Sequence, residues 1–243
     1  MSNVGGRARR ETMKQQRKPT GYIGPISISD EAGVEFDRIK FPVEKDQVEN
    51  YVVELTLGAL QRDGVDLWGA GPQRNPENHF DFTLPASAGV EYMDLMEVAP
   101  LEGTGGFRNA PLEYNHGELA DWVWTKLTQK AQGYGLPRKE AIHLLLYSTD
   151  TAFRLSEGVL EILAYCCSKV DRGFKSILYS VPEDRQSAFI YKIHPRPREE
   201  FRGFNLSAKR ARKSLIADFT RHEATSTVSV TVPLGGKRSH DNR

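Results

Sequence analysis

The sequence predicts an α/β or α+β fold in which a mixed central sheet is covered by helices. Helix-periodic stripes alternate with extended runs along the chain. The run from Ile142 to Tyr147 is apolar apart from His143, of the kind found in a strand buried on both faces. Pairs of short strands with turn-like connections, two of them inside the expected core, flank this alternation. A chain of 243 residues with 39% hydrophobic content supplies one sizeable domain with extensions.

Residues 1–20 are expected to be disordered, because a basic, Gln-rich run follows Gly5-Gly6 with few apolar side chains. A hairpin is expected from Ile23–Ser29 and Val34–Phe41 around the turn-like Asp30-Glu31-Ala32-Gly33. From Asp46 to Asp63 the residues Val48, Tyr51, Val52, Leu55 and Ala59 recur at helical steps, and Gly64 is a stop signal. His79–Leu84 and Val90–Ala99 read as two strands around the turn at 85–89, and Pro100 ends the second. Helix 117–134 carries the stripe Leu119, Trp122, Val123, Leu127, Ala131 and Tyr134. Helix 156–169 follows the apolar strand, with Ser156 as its expected N-cap. Strands 176–181 and 188–193 close a core domain spanning 21–195. Beyond it, 196–234 reads as a basic extension with a helix at 207–219 and an alternating strand at 227–232, and 235–243 as a disordered tail.

Charge is segregated along the chain. Residues 1–20 hold six basic side chains against one acidic, residues 195–243 hold eleven against five, and acids outnumber bases 26 to 16 between them. Basic ends on an acidic body suit contact with a polyanion, with Arg9, Arg10, Lys209, Arg210, Arg212 and Lys213 as the contact candidates. They equally suit solvated tails that confer solubility. No apolar run approaches the ~20 residues needed to span a bilayer, and the N-terminus lacks an apolar signal core. The only cysteines, Cys166 and Cys167, are adjacent and ill-placed for a mutual disulfide, which fits a reducing, cytoplasmic setting. Zinc spacings, a G-x-S-x-G elbow and a complete phosphate-loop motif do not occur.

The hairpin at 79–99 is the most informative stretch. Asp81 lies between Phe80 and Phe82, and Asp94 and Glu97 lie within Tyr92-Met93-Asp94-Leu95-Met96-Glu97-Val98. Carboxylates in apolar strands are costly to bury unless paired, hydrogen-bonded or bound to a cation. A turn centred on Gly89 sets Glu97 opposite Asp81; one centred between Ser87 and Ala88 sets Asp94 there. Glycine tolerates the positive φ of tight turns, which favours the first register. Two facing carboxylates provide the oxygen ligands a Mg²⁺ or Mn²⁺ ion takes, and an exposed face where the acids are merely solvated is the alternative. Lys130 falls on the apolar stripe of helix 117–134, from where it can reach the acids or snorkel to solvent. Tyr134 and Glu54 are further candidates, for a hydroxyl and a third acid.

The succession helix, acid-bearing hairpin, helix, apolar strand over residues 46–148 resembles the core of the PD-(D/E)xK restriction-endonuclease-like superfamily. The resemblance implies Asp81 as first acid and Glu97 as second, both as metal ligands, with Mg²⁺ or Mn²⁺ as cofactor. Ala99 stands where that family's strand lysine would be; some members supply the lysine from the following helix, which makes Lys130 the third catalytic candidate. The function implied is metal-dependent hydrolysis of nucleic-acid phosphodiesters. The alternative is a catalytically inactive nuclease-fold module that binds nucleic acid or a protein partner.

Overall fold

The computed structural model describes residues 22–29, 33–39, 41–65, 71–75, 80–86, 89–99, 113–135, 141–149, 153–183 and 185–215. The expected disordered start, Arg9 and Arg10, the strand at 227–232 and the tail at 235–243 lie outside the described residues. The expected N-terminal hairpin forms as β1 (Tyr22–Ser29) and β2 (Gly33–Ile39), paired antiparallel.

The alternation of apolar runs and helical stripes produces one six-stranded mixed sheet. Its members are β3 (Gln73–Arg74), β4 (Phe82–Ala86), β5 (Gly89–Glu97), β7 (Ala141–Tyr147), β8 (Ser176–Pro182) and β9 (Ala188–His194), adjacent in that order. Strands β5, β7 and β8 are parallel, and β3, β4 and β9 pair antiparallel at the two sides. Parallel neighbours need crossovers. The helices α2 (His116–Gly133) and α3 (Glu157–Lys169) provide them, leading from β5 to β7 and from β7 to β8. The largely apolar β7 is central in the parallel set, and Leu144, Leu145 and Leu146 have no exposed surface.

The ladder sorts side chains onto two faces. Asp94, Leu144 and Ile177 lie in register on one, which α2 covers, with α3 packed against α2. Leu95, Leu145 and Leu178 lie on the other. That side is covered by α1 (Lys45–Arg62), whose Thr56 hydroxyl donates 2.7 Å to Ser180. Asn115 caps α2 by accepting from the backbone N–H groups of Gly117 and Glu118. Ser156 occupies the N-cap position of α3, but its hydroxyl makes no capping bond and lies 3.2 Å from His116 Nε2 instead.

The C-terminal segment departs from the expected basic helix at 207–219. Helix α4 spans only Leu206–Arg210, and the chain then turns into β10 (Lys213–Leu215), which pairs antiparallel with β6 (Glu113–Asn115). Pairing with β6 draws the backbone out of the helix after Arg210, and the body neutralises the segment's cations. Lys209 pairs with Glu161, Lys213 with Glu113, and Arg210 holds both carboxylate oxygens of Asp121, at 2.8 and 2.6 Å. Three of the expected polyanion contacts are therefore engaged by the acidic core, and Arg212 is the exposed exception among the described residues. Among the described residues no helix is long and apolar enough to cross a membrane.

Candidate active site

The hairpin register decides which acids meet. Ala86 pairs with Gly89 and Phe82 with Met93, so the ladder points Asp81 at Asp94 and not at Glu97. The expected Asp81–Glu97 pair is corrected on this ground. Gly89 does have a positive φ of 136°, but it opens β5 opposite Ala86 instead of forming the centre of the turn. Glu97 also projects onto the opposite face of β5 from Asp94, where its Oε1 accepts from the Thr149 hydroxyl at 2.5 Å.

Asp81, Asp94, Lys130 and Tyr134 come together on the α2 side. The two carboxyl groups are within hydrogen-bonding contact of each other. Asp81 Oδ2 also accepts from the Leu95 backbone N–H at 2.7 Å. Asp94 Oδ2 accepts from the Lys130 ammonium and, at 2.6 Å, from the Tyr134 hydroxyl. Tyr134 ends α2 one turn past Lys130, so helical geometry sets both side chains over the same carboxylate. The Phe80 ring lies 4.8 Å from Tyr92 and 5.1 Å from Tyr134, a wall that keeps water off the acids. The Asp94 side chain is 4% exposed and that of Lys130 is 28%, so the pair is desolvated on one side and reachable on the other.

Electrostatics follow from this enclosure. Burial, and then the neighbouring Asp94 carboxylate, push the Asp81 carboxyl up to about 6. Burial and the same carboxylate hold the Tyr134 phenol above its ordinary range, so it stays a hydrogen-bond donor. Two acids held this close resist simultaneous ionisation unless a cation joins them. Among the described residues no group of three or more His, Cys, Asp or Glu side chains is placed to hold a metal. A Mg²⁺ ion is nonetheless commonly held by one or two carboxylates, with waters and substrate phosphate completing its shell, and the pair Asp81 and Asp94 fits that donor set.

Other titratable groups have structural roles. Glu54 is exposed on α1 and away from the pair. Glu49, on the same helix, is 2% exposed and accepts from Arg74 at 2.8 Å, tying α1 to β3. At the other end of β5, Glu91 pairs with Lys175 and lies 2.7 Å from His143 Nε2, while His143 Nδ1 lies 2.7 Å from Ser176 Oγ. An ionised Glu91 only accepts, so Nε2 carries the hydrogen and Nδ1 accepts from the serine. His143 is 3% exposed, and this chain of bonds satisfies a buried imidazole within the sheet. Burial pushes the Cys167 thiol up to about 12, which removes it as a nucleophile.

The pairing of Asp81 with Asp94 was open to sequence reasoning as one of two registers. The buried Glu49 and the Glu91–His143–Ser176 chain were not, since each partner comes from a distant segment. Comparisons with protein-family models, curated proteins and solved structures find no match to this chain.

Proposed function

We propose that the chain is a divalent-metal-dependent hydrolase of nucleic-acid phosphodiesters, with Asp81 and Asp94 as metal ligands and Lys130 and Tyr134 completing the site. The observation that carries the reading is the meeting of two carboxyl groups, a lysine and a tyrosine from two separate elements in one half-buried corner. The arrangement also supports kinship with the PD-(D/E)xK nucleases. With Asp94 as second acid, the buried Met96 stands two residues on where that family keeps its lysine, and Lys130 takes over the cationic role from the helix.

A bound Mg²⁺ or Mn²⁺ supplies Lewis-acid polarisation of the phosphoryl group and a water acidic enough to attack at neutral pH. Water oxygen would form the new bond to phosphorus and release one proton to solvent, the bond to one ester oxygen would break, and that oxygen would leave with a proton from solvent. Lys130 balances charge that develops on the phosphoryl oxygens, in a site whose low polarity strengthens the interaction. Tyr134 holds its proton on Asp94 Oδ2 and so fixes that carboxylate towards Asp81.

One observation favours the binding-only alternative: Asp94 is already balanced by Lys130, as a site without a metal would require. Cleavage of labelled single-stranded and duplex DNA and RNA with Mg²⁺ or Mn²⁺ separates the two. Under the hydrolase reading Asp94→Asn lowers the rate by about 10²-fold or more, the scale of losing one preorganised charge in a reacting site. Cleavage unchanged in Asp94→Asn, or no cleavage by the wild type with either ion, overturns it.

A further inference from the structure

An open cleft of about 480 Å³ adjoins the acidic pair, and Lys130 belongs to both. One wall is the end of β5 and the residues after it, Met96, Glu97 and Ala99; the other is α2, through Trp122, Lys126, Gln129 and Lys130. On a helix these last four positions fall in one row, since three- and four-residue steps return to the same face. Lys126 and Lys130 are one turn apart, about 6 Å along the axis, which is comparable to the separation of successive phosphates in an extended single strand. The Lys126 ammonium lies 5.6 Å over the Trp122 ring, so a cation and an aromatic surface occur together at the far end of the row. Glu97, whose Oε1 accepts from the Thr149 hydroxyl on the opposite face of the sheet, also borders the cleft, and its charge opposes an anion there.

We infer that this cleft seats one strand of nucleic acid, with its phosphates on Lys126, Gln129 and Lys130 and a base against Trp122. Cations in a row, an amide donor and an aromatic ring are the combination that binds single strands without reading sequence. A cleft of about 480 Å³ is of the size that takes a single nucleotide-sized group. The inference rests on the hydrolase reading for the reason a strand should lie beside Asp94, yet binding can be measured without turnover.

The test is anisotropy of a fluorescent single-stranded oligonucleotide, and of its duplex, with the full chain in EDTA at several salt concentrations. Lys126→Glu is expected to weaken single-strand binding by at least about tenfold, and Lys126→Ala to reduce the slope of log affinity against log salt by about 0.7. Trp122→Ala is expected to cost about tenfold, with Trp122→Phe restoring most of it. Circular dichroism of each variant matching the wild type separates lost contacts from lost folding, and Lys126→Ala, at a half-buried position on the cleft side of α2, supplies the milder case. Wild-type affinity retained in both Lys126 variants, or duplex bound as tightly as single strand, overturns the inference. Salt-dependent binding through the cleft with no cleavage in any metal would defeat the hydrolase reading alone, and cleavage with unaltered binding in Lys126→Glu would defeat the cleft alone.

Discussion

Asp81 connects the chemistry of the site to the stability of the fold. Its carboxyl is raised to about 6 in the folded chain against an ordinary 3.8, by burial first and by Asp94 second. A raised folded-state value means that the protonated form stabilises the fold, fully below about pH 4, and that this contribution is lost as pH rises through about 6. In EDTA, Asp81→Asn should therefore have a higher Tm than wild type at pH 7.5, and the difference should vanish towards pH 4. A divalent cation reverses the situation by joining two ionised carboxylates, so Mn²⁺ should raise the wild-type Tm at pH 7.5 and leave Asp81→Asn unmoved. Equal shifts in both proteins would show that the ion binds elsewhere. Cleavage should fall away below about pH 6, as Asp81 takes up the proton that competes with the metal. At this scale the sequence made the residues visible but not their pairing. Gly89 signalled a positive φ, which it has, yet the turn lies before it, and moving the register by three residues turned the second acid to the other face.

Helices and strands with strong periodicity were legible in advance. The apolar stripes of α1, α2 and α3 and the largely apolar run of β7 place their elements within a few residues of the expected bounds. The short pieces β3, β6 and β10 were not, because two- and three-residue strands have no period and exist only through the strands they pair with. Over the described residues the expected helix at 207–219 gives way after Arg210 for the same reason, since the strand that replaces it exists through its pairing with β6, about 100 residues earlier in the chain. How closely this segment is fitted can be tested at Gly158, in the first turn of α3. A Cβ there would sit 2.5 Å from His116 Nδ1 and 2.6 Å from Cε1, and that ring lies 2.7 Å from Ser214 Oγ, next to β10. Gly158→Ala should destabilise the protein by about 1–3 kcal/mol in urea unfolding, the usual cost of overpacking a filled site. Adding His116→Ala should make the double variant less destabilised than the sum of the two single changes. Strict additivity would show that the ring moves aside freely.

Over the whole molecule, the mixed sheet with helices on both faces follows from composition and alternation, while the distribution of charge divides between what the body neutralises and what it leaves over. Lys209, Arg210 and Lys213 are held by acids of the core, and an exposed ion pair of this kind adds little stability, about 0–1 kcal/mol. A polyanion reaching these cations would have to displace carboxylates already in place, so their share in nucleic-acid affinity should be small. Lys130, although paired with Asp94, lines an open cleft together with Lys126, and Arg9 and Arg10 belong to a start of the chain in which six basic side chains meet one acidic. The salt dependence of binding sorts these groups, because each phosphate neutralised on a single strand contributes about 0.7 to the slope. Arg9→Ala with Arg10→Ala should lower the slope by up to about 1.4, whereas Lys209→Ala with Arg210→Ala should leave it within about 0.3 of wild type. If the second pair lowers the slope as much as the first, the core acids do not hold those cations against a polyanion. The acidic body would then screen its own surface without shielding its C-terminal segment.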